Sequence, residues 1–130
     1  MEAQDSEESR RFSLALRRLN ASAERISSED KLIDYWVALE TLFVSDARGE
    51  IKYRARTRIA RYLEDGLVPR RELAKTLGDS YNRRSEVVHG DRPKPDLSDL
   101  TDRTGEILRR ALRRMLEQGR TVDLEGLDLG

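Results

Sequence analysis

The chain has 130 residues with 25 basic and 25 acidic side chains, so its formal net charge at neutral pH is zero. Charged residues make up 38% of the sequence and aromatic residues 5%, which predicts a single domain with a narrow, aliphatic core. The absence of cysteine excludes disulfides and thiolate metal sites. Because no apolar run reaches membrane-spanning length, we expect a cytoplasmic protein without a membrane segment.

The neutral total hides an uneven distribution of charge. Residues 1–8 and 121–130 carry acids and no base, which leaves residues 9–120 with 25 bases and 18 acids, a net charge of +7. A basic folded part favours an anionic partner. We expect one helical domain over residues 9–118 between flexible acidic segments 1–8 and 119–130, which are typical of linkers to further domains of a longer parent chain.

Apolar residues spaced three and four apart predict five amphipathic helices. The first covers about residues 9–25. The second follows the capping residue Ser27 and continues to about residue 45. Apolar residues cover more than half of the circumference of this second helix, so we expect it to be central and buried. Within it, Glu40 lies between the apolar stripes, a position that suits either a site or an ion pair with a neighbouring arginine.

The three remaining helices are predicted over residues 50–65, 69–88 and 96–118. Beside the apolar stripe of the third helix, three arginines share one face, an arrangement suited to tracking an RNA backbone: Arg54, Arg58 and Arg61. The order of elements and the scarcity of β-branched clusters predict an all-α domain.

The end of the fourth helix carries the sole histidine, His89, behind two consecutive arginines, Arg83 and Arg84. Histidine exchanges a proton near neutral pH, and no cysteine competes for that role. The donor fork of arginine is suited to phosphate oxygens. Arg84 falls on the apolar stripe, where a cation needs a partner or a purpose, whereas Arg83 lies beside the stripe. The combination indicates phosphodiester chemistry.

The spacing within this segment leaves two interpretations open. On an ideal helix Arg84 and His89 lie about 140° apart, so they converge only if the helix frays or bends near Gly90 or if a second copy supplies one of them. In the structural interpretation, His89 is instead a C-terminal residue favoured by the helix dipole, and Gly90 is its left-handed cap.

Three features together resemble the HEPN superfamily, and in particular the Apea-like HEPN domains of prokaryotic defence systems: the helix order, the segment 84–90 and the central segment 34–43. The resemblance covers roughly residues 12–118. It implies an up-down bundle of four or five helices that acts as a homodimeric, metal-independent endoribonuclease with both motifs at the shared interface. It makes Arg84 and His89 the catalytic pair, although the spacing also fits Arg83. The supporting residues are Tyr81, Asn82, Arg83, Ser85, Glu86 and Glu40.

The chemistry of RNA cleavage agrees with a dimer. Attack by the 2′-hydroxyl needs a base, an acid for the leaving 5′-oxygen and a cation for the charged phosphorane. One histidine can hardly perform both proton transfers, whereas a two-fold interface supplies two. We expect no metal and no cofactor, because the carboxylates are scattered. The second hypothesis is a non-catalytic module of the same fold that dimerises or binds RNA or a partner protein.

Overall fold

A computed structural model describes the backbone of residues 3–129 and the side chains of residues 7–129. Over this range the chain is all-helical, as predicted, with six helices and no strand. The helices are α1 (Ala3–Ser22), α2 (Ser28–Phe43), α3 (Ile51–Leu63), α4 (Leu67–Val88), α5 (Leu97–Gln118) and α6 (Leu124–Leu129). The five predicted helices correspond to α1–α5, and most of their ends agree to within a few residues.

Both ends of the chain contain more helix than we expected from the sequence. α1 begins already at Ala3, inside the segment expected to be flexible, and residues 1 and 2 lie outside the described range. The segment 119–130, expected to be a flexible tail, contains α6. Gly119 ends α5 as predicted, with a φ of 71° in the left-handed region.

α2 is the central helix, as its hydrophobic pattern predicted, because it contacts α1, α3, α4 and α5. Its predicted cap is present: the Ser27 side chain accepts a hydrogen bond of 3.1 Å from the N–H of Asp30. Its apolar side chains form the middle of the core, and those at 0% exposure include Leu32, Trp36, Leu39 and Phe43.

A buried chain of hydrogen bonds joins α2, α4 and α5. Trp36 Nε1 donates to Ser80 Oγ at 2.9 Å, and Ser80 Oγ lies 2.5 Å from Thr104 Oγ1. Thr104 in turn donates to the carbonyl oxygen of Leu100 at 2.6 Å. Because a carbonyl only accepts, Ser80 must donate to Thr104, and every bond runs in the same direction. Each hydroxyl therefore gives one hydrogen bond and accepts one.

Adding a methyl group at two helical glycines should have opposite effects on stability. A Cβ at Gly105 would lie 2.8 Å from the ring of Tyr35, which is 5% exposed and enclosed by the core. A Cβ at Gly78 would meet the long side chains of Arg56 and Lys52 at 3.3 Å or more. We expect Gly105→Ala to destabilise the fold by about 1–3 kcal/mol. Gly78→Ala should be neutral or stabilising by up to about 1 kcal/mol.

Thermal unfolding of the two variants beside the wild type checks this difference, with Gly78→Ala as the matched control for helix propensity. A melting temperature of Gly105→Ala at or above that of the wild type would contradict the close packing of α5 against Tyr35.

Candidate active site

α4 is regular to its end and closes with a Schellman motif. The N–H of Gly90 donates to the carbonyl of Val87 at 3.0 Å, and the N–H of Asp91 donates to the carbonyl of Glu86 at 2.9 Å. Gly90 has a φ of 79°, in the left-handed region that glycine enters without a Cβ penalty. The left-handed cap is therefore confirmed, and α4 is unbroken to Val88.

His89 is exposed just beyond α4, and the backbone orients its ring. Nδ1 lies 2.6 Å from the carbonyl oxygen of Ser85. Because a carbonyl oxygen only accepts hydrogen bonds, Nδ1 carries the proton in this contact. In the neutral imidazole the free lone pair then lies on Nε2, so Nε2 is the ring atom that is able to accept a proton from a ligand.

Arg84 faces α2 and makes a long contact there. Its Nη2 lies 3.6 Å from Glu40 Oε1, and its guanidinium lies 5.4 Å from the centre of the Tyr81 ring. A separation of 3.6 Å is too long for a hydrogen bond. Among the described residues, Arg84 Nε and Glu40 Oε1 are buried without a hydrogen-bond partner. Glu40 thus faces an arginine of the motif, and both groups keep hydrogen-bonding capacity that the fold does not use.

Arg83, the other candidate for the motif arginine, holds α4 to the start of α5. Its Nε and Nη2 donate to the two carboxylate oxygens of Asp96 at 2.7 and 3.2 Å, and its Nη1 donates to Glu86. The hydrogen bonds with Asp96 raise the pKa of Arg83, and the same bonds lower the pKa of Asp96. Because carboxylates occupy its donors, the geometry favours Arg84 as the arginine available to a ligand.

Other residues of the candidate site have contacts within the fold. The Tyr81 ring meets Trp36 edge-on, with 5.1 Å between ring centres. Asn82 Oδ1 accepts a hydrogen bond of 2.8 Å from Lys52 Nζ. Ser85 is half-buried, and its backbone carbonyl is the group that orients the histidine ring. These contacts position the end of α4.

An open cleft lies on the other side of Glu40. It has a volume of about 460 Å³, and its lining comes from α1, α2, the loop after α2 and the start of α3. Its wall includes Glu40, Arg10 and Arg11, but neither Arg84 nor His89. Glu40 therefore separates this cleft from the arginine of the motif.

The structure corrects one of the three expected RNA-backbone contacts on α3, because Arg58 is 2% exposed. Its guanidinium binds Asp46 at 2.7 Å and the two oxygens of Asp128 at 3.0 and 2.8 Å. It therefore has no surface to offer to a nucleic acid. Arg58 follows Ala55 by three residues and precedes Tyr62 by four, and both are buried, so it lies on the inner face of α3.

The other two arginines of that set remain half-buried at the surface. Arg61 Nη1 donates to the carbonyl oxygen of Leu127 at 2.9 Å. Arg54 Nε is buried without a hydrogen-bond partner within residues 7–129. Of the three arginines that the spacing places on one face of α3, Arg58 is therefore internal, and Arg54 and Arg61 lie at the periphery.

α6 and the acidic partners of Arg58 were not predicted from the sequence. The available signal was a capping residue followed by two leucines three apart. Asp123 Oδ1 accepts a hydrogen bond of 3.1 Å from the N–H of Gly126, and Leu124 and Leu127 pack against the core. The long sequence separation between Asp128 and Arg58 left no local pattern from which to infer their pairing.

Among the described residues, no group of three or more His, Asp or Glu side chains is placed to hold a metal ion. No helix of residues 3–129 is long and apolar enough to span a bilayer.

Comparisons with known proteins give no assignment: no family model, no curated protein and no solved structure matches the chain. The interpretation of the site therefore depends on its own residues.

The pH dependence of stability should reveal the ion pairs that hold α6 to α3. Hydrogen bonding by Arg58 lowers the pKa of Asp128 and of Asp46 below the ordinary value of 3.8. Such carboxylates stabilise the fold above their unfolded-state pKa, and this contribution disappears as the pH falls through the lowered folded-state pKa. We expect Asp128→Asn to melt below the wild type at neutral pH, and the difference to shrink below pH 3.8.

Circular dichroism melts over a pH series check this expectation. Asp102→Asn, at an exposed position on α5, is the matched control and should melt with the wild type throughout. A deficit of Asp128→Asn that stays the same at every pH would show that its carboxylate charge is not what holds α6.

Proposed function

We propose that the chain is a HEPN-type, metal-independent endoribonuclease of a prokaryotic defence or toxin-type system, with Arg84 and His89 at the interface of a homodimer. The resemblance of the segments 84–90 and 34–43 supports this assignment, as does the all-helical fold. The observation that carries the proposal is the orientation of the His89 ring, because the Ser85 carbonyl holds the proton on Nδ1 and leaves Nε2 as an exposed base.

In the proposed reaction, Nε2 of a neutral His89 takes the proton from a ribose 2′-hydroxyl, whose oxygen attacks the adjacent phosphorus. The bond to the 5′-oxygen breaks, and the protonated histidine of a second copy supplies the proton to that oxygen. Arg84 donates to the phosphorane oxygens as negative charge builds up on them. Its unused donors and its long contact to Glu40 support this role, because a closely paired guanidinium would already be neutralised.

The continuity of α4 supports a site shared between two copies. α4 extends unbroken to Val88, and on an ideal helix Arg84 and His89 lie about 140° apart, which favours a second copy as the source of one of the two groups. A two-fold axis beside the end of α4 would place Arg84 of one copy near the histidine of the other. Val88 is 57% exposed and offers an apolar contact at such an interface.

A non-catalytic module of the same fold, which binds RNA or a partner protein, is the second candidate. The Schellman motif accounts for Gly90 without catalysis, and the contact with Ser85 gives His89 a structural partner. Glu40, with Oε1 at 3.6 Å from Arg84 Nη2, likewise gives Arg84 a partner within the fold. In this alternative the same surface binds its partner, and no RNA cleavage occurs.

Incubating the purified protein with end-labelled RNA in the presence of EDTA tests the enzyme proposal. We expect cleavage that leaves 2′,3′-cyclic phosphate and 5′-hydroxyl ends, identified by mass spectrometry, because the 2′-hydroxyl is the nucleophile. Single-stranded DNA should remain intact. Arg84→Ala and His89→Ala should each lower the cleavage rate by at least about 10²-fold. Both variants should melt close to the wild type, since neither loses a closely hydrogen-bonded ion pair.

Arg83→Ala is the matched control. It removes the ion pairs with Asp96 and Glu86, so it should lower the melting temperature while its folded fraction still cleaves. Products with 5′-phosphate ends, or activity that EDTA abolishes, would overturn the mechanism. Full activity in His89→Ala would exclude His89 from catalysis.

The dimer is tested separately by light scattering at micromolar concentration. We expect twice the monomer mass of 15.0 kDa. Val88→Asp should yield monomers, because it places a charge in the apolar part of the proposed interface. Leu67→Asp, at a 63% exposed position at the other end of α4, should stay dimeric. A wild-type monomer at every concentration would remove the shared site.

A further inference from the structure

A second cluster of arginines lies at the C-terminal end of α5. Arg61, Arg114 and Arg120 line a cleft of about 520 Å³ between α3, the end of α5 and the segment that follows it. Arg83 binds Asp96 at the start of α5, and Arg114 lies eighteen residues after Asp96. At 1.5 Å per residue, the cleft is about 25–30 Å along α5 from that contact. It is therefore separate from the candidate active site.

The fold holds Arg114, which lines this cleft, in place and gives it no carboxylate partner among the described residues. The Arg114 guanidinium lies 5.3 Å from the centre of the Tyr62 ring, and Tyr62 is 9% exposed, so the surface beneath Arg114 is rigid. Burial raises the pKa of Tyr62, and the charges of Arg114 and Arg120 oppose that rise, which shows that both guanidiniums lie near the phenol. Within residues 7–129, Arg114 Nε is buried without a hydrogen-bond partner.

The hydrogen bonds of the other two arginines go to backbone oxygens. Arg61 donates to the carbonyl of Leu127 at 2.9 Å, and Arg120 Nε donates to the carbonyl of Thr121 at 3.4 Å. Among the described side chains, none of the three cleft arginines forms an ion pair with a carboxylate. A further polar group on the wall is Thr121, which is 6% exposed and whose Oγ1 has no hydrogen-bond partner in that range.

One carboxylate, that of Asp123, lines the cleft, and that of Asp128 lies near it. Asp123 lines the cleft, and its Oδ1 accepts the N–H of Gly126. Asp128 is near enough for Arg61 to contribute to lowering its pKa, but both of its oxygens bind Arg58. Among the residues that line this cleft, three cations thus meet one carboxylate, and that carboxylate has one oxygen without a hydrogen-bond partner in the described range.

We propose that Arg61, Arg114 and Arg120 bind a phosphate group. The planar donor fork of arginine matches phosphate oxygens, and several forks on a rigid surface suit an anion with three or more acceptor oxygens. The phosphate belongs either to a small phosphorylated molecule or to a nucleic-acid backbone. A neighbouring cleft of about 180 Å³ shares Arg114 and adds Arg113, Glu117 and Arg110, and the guanidinium of Arg110 pairs with Glu64 at 2.9 Å.

Calorimetric titration of the full chain at low salt tests this site, with pyrophosphate in one arm and a single-stranded DNA oligonucleotide in the other. DNA is not cut by the proposed ribonuclease, and cleavage is not the readout, so the result is independent of that proposal. We expect saturable binding in at least one arm. Arg114→Gln and Arg120→Gln should each weaken it by at least about tenfold, through loss of charged hydrogen bonds.

Arg71→Gln, which changes an exposed arginine on α4, is the matched control and should bind like the wild type. Tight binding of pyrophosphate identifies a small-molecule site, and binding of DNA alone identifies a backbone site. Circular dichroism shows whether Arg114→Gln is folded, and exposed Arg120 provides a second variant outside the core. The absence of binding in both arms would overturn the proposal, as would wild-type affinity in the folded Arg114→Gln and Arg120→Gln variants. An equal loss of binding in these two variants and in Arg71→Gln would also overturn it. Glutarate, a dicarboxylate, is the control anion, and binding as tight as that of pyrophosphate would overturn the proposal by showing that the cleft does not select phosphate.

Discussion

The hydrogen-bond chain from Trp36 through Ser80 to Thr104 determines how α4 is rotated against α2 and α5. A buried hydroxyl or indole N–H that loses its partner costs about 1–3 kcal/mol, so turning α4 would be opposed at several linked positions. Ser80 must therefore point inward. Arg84, four residues later, lies on the same face of α4, which brings it against Glu40 of α2. The contact at the candidate active site is thus a consequence of the core.

The same rotation separates two arginines that the sequence makes adjacent. Successive residues on a helix point about 100° apart, so Arg83 cannot face α2 when Arg84 does. Arg83 instead reaches Asp96, which precedes α5, and forms a two-pronged ion pair with it. The spacing of the motif fits either arginine, whereas in the folded chain only Arg83 has close carboxylate partners. The arginine with unused donors is the one on the face that the core fixes.

Local sequence patterns predicted the extents of α2, α3 and α5 and the Ser27 cap, because these features depend on residues a few positions apart. The cap at Gly90 was predictable for the same reason. The burial of Arg58 was not, because its partners Asp46 and Asp128 lie 12 and 70 residues away and come from a loop and from α6. A local pattern shows that an arginine is charged, but it does not show the carboxylate, distant in sequence, that compensates for the cost of burying that charge. Which of two consecutive arginines binds Asp96 is likewise a property of helix packing.

The placement of acids explains how a chain with zero net charge keeps basic surfaces. Asp128 belongs to the acidic C-terminal segment. In a count of charges along the sequence, this segment is a separate tail that offsets part of the net positive charge of residues 9–120. Both carboxylate oxygens of Asp128 bind Arg58, an internal cation, and within the described residues Asp128 forms no ion pair with the arginines at the surface. The same contact fixes α6, and the segment leading into it, including Asp123, completes the cleft beside Arg114. The acidic segment thus helps to build a basic cleft, because the carboxylate of Asp128 pairs with the internal Arg58 while residues 121–123 line the outer wall.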